Sequence, residues 1–241
     1  MKRLNYLLVF FVVFTNCLFS QLDIGGHAGL TVNNGKYVIT SKWYGFPTIP
    51  DGTMRDYEMG IKSLSSFTFG GLIEAKLYSF LYFQTEVNYL DKTILPRRVA
   101  PFYHVGVDGE LVWVDRVKYR FKYIEVPLLL KMKFDYEKFL PYCFAGAGIG
   151  LLYKATEILD FESLWFNFPR RETSISEFTK YEQPFVTFGV GTDYLLNDMF
   201  SIFITVRYSN SLADIAKDPQ VSFKPHNYDL LLGIKTKIIN Y

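Results

Sequence analysis

Cysteine is nearly missing from this chain: Cys17 and Cys143 are the two in 241 residues. Cys17 lies in an amino-terminal stretch with a basic start (Lys2, Arg3), an uncharged apolar run from Leu4, and Ser20 ahead of Gln21. That layout predicts a secretory signal peptide over residues 1–20 and one mature domain over 21–241. A retained membrane anchor fits less well because the apolar run is short. A lipoprotein signal fits less well because Asn16 stands where a small residue is wanted. With Cys143 alone left after cleavage, no intramolecular disulfide can form, so an exported domain must take its stability from elsewhere.

Charge of one sign is lacking too. The chain has 26 basic and 24 acidic residues, and losing Lys2 and Arg3 leaves 24 against 24. A neutral mature chain has no basic excess with which to hold nucleic acid. Histidine is sparse (His27, His104, His226), and no pair has the spacing of metal ligands. Gly146-Ala147-Gly148-Ile149-Gly150 departs from the G-x-G-x-x-G spacing and stands in no alternation of strands and helices, so no nucleotide or other cofactor is expected. Beyond the signal no apolar run is long enough for a membrane helix. The best, Phe139 to Tyr153, falls short of the ~20 residues needed and contains Pro141 and three glycines.

What is present is alternation. From Ile124 to Phe134 one parity is apolar (Ile124, Val126, Leu128, Leu130, Met132, Phe134), and the other includes Glu125, Lys131 and Lys133. Side chains of a strand point alternately to two faces, so this is a strand with an oily and a charged side. A five-residue turn leads to a second such segment around Ala145–Tyr153, giving a hairpin. Six further segments repeat the pattern: 22–32, 65–77, 80–90, 183–195, 200–209 and 226–238. The expected fold is all-β: an eight-stranded antiparallel up-and-down transmembrane β-barrel.

Three features favour such a barrel over a soluble sandwich, which would also alternate. The connections sort by parity, short at 78–79, 135–139 and 196–199, long at 33–64, 91–118, 156–182 and 210–225. Transmembrane barrels have short periplasmic turns and long outer loops. The charged parity holds both signs in near balance, which a narrow barrel can pair across its interior. The expected lumen network is His27, Glu74, Glu86, Glu125, Lys131, Lys133, Lys154, Asp193, Arg207 and Asp229, with Arg207, Lys154 and Lys76 as candidate partners of Glu125. Finally, tyrosines cluster where the oily face would meet water: Tyr89, Tyr153, Tyr208 and Tyr228 at the long-loop ends. Arg120 and Lys122, just beyond Ile124 on the same parity, are expected to contact outer-membrane lipid phosphates such as those of lipopolysaccharide.

The hairpin also carries a resemblance. Tyr123-Ile124-Glu125-Val126-Pro127-Leu128-Leu129-Leu130-Lys131 resembles the "YxEIPLLLK" strand of PorT-like outer-membrane β-barrel proteins of Bacteroidetes, and Pro141–Gly146 resembles the strand that follows it there. Gly26–Leu30 and Leu232–Lys235 resemble that family's first and last strands. The resemblance implies an outer-membrane barrel, and one named member is associated with type IX secretion and gliding. The expected role is structural or interactive, with no catalysis, a lumen plugged by side chains, and partners in secretion or envelope machinery met through aromatic outer loops (Trp43, Trp113, Trp165). The alternatives are a lipid-directed barrel enzyme with a His/Asp or His/Ser site, built on His27 and Asp229, and a narrow channel or adhesin. Pro127 lacks a ladder donor, which predicts a bulge or broken ladder beside Glu125.

Overall fold

The computed structural model describes residues 21–39, 57–62, 64–96, 103–105, 111–162, 171–217 and 221–240. The expected signal segment and the loop tryptophans Trp43 and Trp165 lie outside them, as does the side chain of Trp113. Among the described residues eleven strands form in chain order: β1 (Gln21–Ile39), β2 (Tyr57–Lys62), β3 (Leu64–Lys76), β4 (Leu81–Pro96), β5 (Tyr103–Val105), β6 (Leu111–Lys133), β7 (Phe139–Glu162), β8 (Arg171–Ser174), β9 (Glu182–Leu195), β10 (Phe200–Ser211) and β11 (Val221–Asn240). Eight of these, all but the short β2, β5 and β8, pair antiparallel in sequence order. The ring closes where β1 meets β11, with Ala28 opposite Leu232.

The closure has a definite stagger. Leu22 pairs with Ala75, then in turn come Phe83, Leu130, Ala145, Phe188, Tyr208, Tyr228 and finally Val32. A walk at right angles to the strands thus leaves β1 at residue 22 and returns at residue 32, a stagger of ten. Closing eight strands with such a shift requires them to lean at ~40° to the barrel axis. The interior of a barrel this size is just wide enough for side chains.

Burial is inverted relative to a soluble protein. The outward face is apolar and bare: Leu30, Phe69, Val87, Leu128, Leu130, Val190, Val206 and Leu232 are all exposed. The inward face buries Glu74, Glu86, Lys131, Asp193 and Lys235. Water would penalise both arrangements, whereas a lipid bilayer outside and paired charges inside satisfy both.

The strands outrun the expected segments at the long-loop end. β6 and β7 are 23 and 24 residues long. At ~3.3 Å per residue and ~40° tilt β7 stands roughly 60 Å tall, more than twice the ~25 Å apolar band of such barrels. β4, β6 and β7 therefore run on as strand into the loops expected over 91–118 and 156–182. Past the band the pattern reverses: Leu90, Ile94, Phe121 and Phe223 point inward and are buried, while Asp91 and Arg120 point outward. Above a bilayer the outer wall meets water and the inside becomes the dry side.

At the other end the connections are tight. Tyr136 and Phe139 exchange backbone hydrogen bonds of 3.0 and 2.9 Å across Glu137-Lys138, and Glu137 holds φ 52° to make the turn. At Pro127 the β4–β6 ladder is interrupted. Thr85 pairs with Leu128 and Asn88 with Glu125, with no change of register, but the two positions between are unpaired. Proline has no N–H to offer β4, and Thr85 Oγ1 instead donates to the Pro127 carbonyl at 3.3 Å. The β6–β7 ladder runs through Pro127 unbroken.

Candidate functional site

The lumen is filled by three stacked groups. Nearest the short turns, Glu74 and Asp193 share three lysines. Lys131 Nζ lies 2.7 Å from Glu74, Lys133 bonds Glu74 and sits 2.7 Å from Asp193, and Lys235 is 2.5 Å from Asp193. Aromatic rings complete their surroundings: Lys131 lies 4.0 Å from the centre of the Tyr142 ring and Lys133 4.4 Å from that of Tyr82. A cation over a ring face is held by the ring quadrupole, which helps seat three positive charges on two carboxylates. Asp23, bonded to Gln21 at 2.9 Å, is a third buried carboxylate at this end.

The middle group centres on Glu86. Arg207 Nη2 donates to both its oxygens at 2.6 and 2.8 Å, and Asn88 donates to Oε2 at 2.7 Å. Gln84 connects the two groups, donating to Glu86 and accepting from Lys131, both at 2.5 Å. His27 lies buried nearby against the edge of Phe203, and neither of its ring nitrogens has a hydrogen-bond partner among the described residues. His27 is opposite Gly233 and Asp229 opposite Thr31, so they are offset along the β1–β11 pair and form no His–Asp couple. Asp229 accepts instead from Asn227 at 3.1 Å.

The upper group is Lys92 with Glu125, 2.8 Å apart and both buried. None of the three cations expected for Glu125 is its partner: Arg207 is held by Glu86, while Lys76 and Lys154 are not inside the pair's layer. Lys92 falls in the connection expected over 91–118, although it shares the parity of Gln84, Glu86 and Asn88, the one signal in the sequence for its inward position. Above this pair Ile94, Phe121, Tyr123, Leu152, Ala155, Ile215 and Phe223 form an apolar cluster.

Lys154 corrects a second expectation, since it is exposed and not in the lumen. Lys122 pairs with Lys154 but Tyr123 pairs with Leu152, so Tyr153 is an extra residue in β7. A one-residue insertion turns every later side chain to the other face. Tyr153 and Lys154 therefore both point outward, Tyr153 at 72% exposure.

The outer surface carries the remaining candidates. Arg120 and Lys122 lie on its long-loop side, and Arg120 grips Asp91 with Nε at 2.9 Å. Tyr89 stacks on Phe69 at 5.1 Å between ring centres, and Tyr208 lies between Phe188 (5.1 Å) and Tyr228 (5.0 Å). These rings bracket the apolar wall from one side, and Phe134, Phe139, Tyr194 and Phe200 bracket it from the other.

Comparison with known proteins agrees with this geometry. The family described as "Outer membrane protein beta-barrel domain" matches residues 19–217. OprG, an outer membrane protein of Pseudomonas aeruginosa, superposes with TM-score 0.50 at 13% identity, covering 91% of this chain and 96% of that one. Neisserial surface protein A gives TM-score 0.46 at 12% identity, over 90% and 97%. The outer membrane protease OmpT of Escherichia coli gives 0.42 at 9%, over 90% and 97%. At such identity the OprG likeness speaks for the fold alone. No curated protein matches the chain.

Proposed function

Because the chain belongs to the outer membrane protein β-barrel domain family, we propose that it is a plugged, non-catalytic barrel of the outer membrane that acts through its surfaces and not through a pore. The long-loop end faces the outside and both termini face the periplasm, as loop length in such barrels implies. One observation carries the reading: the lumen is crossed at successive heights by two buried charge clusters, the Lys92–Glu125 pair and the apolar cluster above it. A solute path would have to break several buried ion pairs, at about 3–5 kcal/mol for each cation or carboxylate stranded. The separation of His27 from Asp229 argues against the His/Asp enzyme reading. In planar bilayers the reconstituted protein should give no large steady conductance; a porin-like steady current overturns the proposal.

The finer placement among PorT-like proteins, with an accessory role in type IX secretion or envelope integrity, rests on the likeness of Tyr123–Lys131 and the strand after it. Deleting the gene separates the roles. Loss of type IX cargo from the medium supports secretion, detergent sensitivity with normal cargo supports integrity, and neither phenotype removes both.

A further inference from the structure

The outward bulge at Tyr153 creates an unbalanced pair of charges. Lys122 and Lys154 stand directly opposite one another across β6 and β7, both on the outer wall. Like charges placed opposite on neighbouring strands repel. Neither lysine has an ion pair among the described residues. Asp91 is opposite Lys122 on the other side, in β4, yet its carboxylate is taken by Arg120. Glu172 also acts electrostatically on Arg120, and among the described residues no carboxylate forms an ion pair with either lysine. Without the extra residue Lys154 would turn inward; the insertion aims it outward beside Lys122.

The position of the pair defines what could neutralise it. Immediately toward the short-turn end the same outer wall becomes apolar, with exposed Ile124 and Leu128 on β6 and Ile149 on β7. Toward the long loops it is polar, with Arg120 and Asp91. An anion bound at Lys122 and Lys154 would thus have hydrocarbon on one side and water on the other. That is the situation of a headgroup phosphate whose acyl chains lie along the barrel. We propose that Lys122 and Lys154, flanked by Arg120 and Tyr153, bind the phosphate of a phosphorylated lipid of the outer leaflet. The proposal rests on the outward orientation of the long-loop end given above.

The full-length protein is reconstituted into phosphatidylcholine vesicles containing bisphosphorylated lipid A, or lipid A stripped of phosphate, then extracted and weighed by native mass spectrometry. Wild type should retain the bisphosphorylated form and not the stripped one. Lys122→Ala with Lys154→Ala should retain about 25-fold less, since each lysine near an anionic lipid surface contributes about a factor of five. Lys138→Ala, in a turn at the opposite end, should behave as wild type. Lys154→Glu should lose the lipid while keeping the fold, because it converts a repelling pair into an attracting one; folding is read from heat-modifiable gel mobility. Displacement of the lipid by millimolar inorganic phosphate would identify a free-phosphate site and overturn the lipid assignment. Equal retention by wild type and the double variant overturns the site. Failure of the wild type to insert as a heat-modifiable barrel overturns the membrane reading itself.

Discussion

Lys92 Nζ sits 2.8 Å from Glu125 Oε1, inside the barrel and 33 residues away in sequence. The pair marks the boundary between the polar lumen and the apolar cluster above. Both groups are buried, so removing one leaves the other charged without a partner. Glu125→Gln should lower stability by about 3–5 kcal/mol, and Lys92→Met by a similar amount. The double variant should regain part of that, because with both charges removed neither is stranded. Glu177→Gln, exposed on the outside, should change nothing. The readout is the temperature at which the folded gel species is lost; if Glu125→Gln melts no earlier than Glu177→Gln, the pair contributes nothing.

The topology can be tested from outside the cell. Glu172 lies exposed on β8 at the long-loop end, and Glu137 lies exposed in the turn between β6 and β7. A membrane-impermeant thiol reagent on intact cells should label Glu172→Cys and leave Glu137→Cys untouched. Labelling of Glu137→Cys alone would reverse the orientation and move the proposed lipid site to the inner leaflet.

The eight strands were legible because one rule governs them: oily residues outward, charges inward, period two. The rule fails where its cause fails. Past Tyr89 on β4 and before Tyr123 on β6 the wall leaves the bilayer, and apolar Ile94 and Phe121 turn inward while Asp91 and Arg120 face water. A loop over 91–118 carries no inward parity, so Lys92, and with it the partner of Glu125, is not legible there. Lys154 defeats the rule for another reason. Nothing in the local pattern around Tyr153 marks an insertion, and a single extra residue reverses the face. Cross-lumen pairs such as Arg207 with Glu86, 121 positions apart, depend on the ten-residue stagger, which is a property of the closed ring and not of any one strand.

Gly191, on the inward parity of β9, and Gly71, on the exposed outer face of β3, differ sharply in what they tolerate. A Cβ on Gly191 would stand 2.5 Å from the Tyr142 ring and 2.4 Å from the Ile204 carbonyl, whereas one on Gly71 would meet only the Gly25 carbonyl at 3.8 Å. Tyr142 also hydrogen-bonds Thr205 at 2.6 Å, so the ring cannot swing away without losing that bond. Gly191→Ala should therefore destabilise the barrel by about 1–3 kcal/mol, the usual cost of overpacking. Gly71→Ala should be neutral or slightly stabilising. Equal melting of the two variants in detergent would show that the Tyr142 ring is not fixed against β9.

At the long-loop end a short strap lies against the apolar cluster, with one of its side chains, Ile215, buried there. Ile215, between β10 and β11, is buried in the cluster with Phe121, Leu152 and Phe223. Its carbonyl accepts from Lys180 at 2.7 Å, and its N–H donates to Phe223 at 3.0 Å. The Lys217 N–H donates to the Phe178 carbonyl at 3.0 Å, joining the strap to the segment before β9. These backbone bonds lie near water and can be exchanged for it at little net cost, so the buried side chain decides whether the strap stays down. Ile215→Ala removes about 2–5 kcal/mol of packing. The charge clusters below do not touch Ile215, so the barrel itself should keep its heat-modifiable mobility. Local opening should instead expose Leu152, and a Leu152→Cys reporter should react with maleimide about tenfold faster or more in the Ile215→Ala background than with Ile215 intact. Equal rates in the two backgrounds would mean that the mouth is closed by the wall strands alone and that the strap merely rests on it.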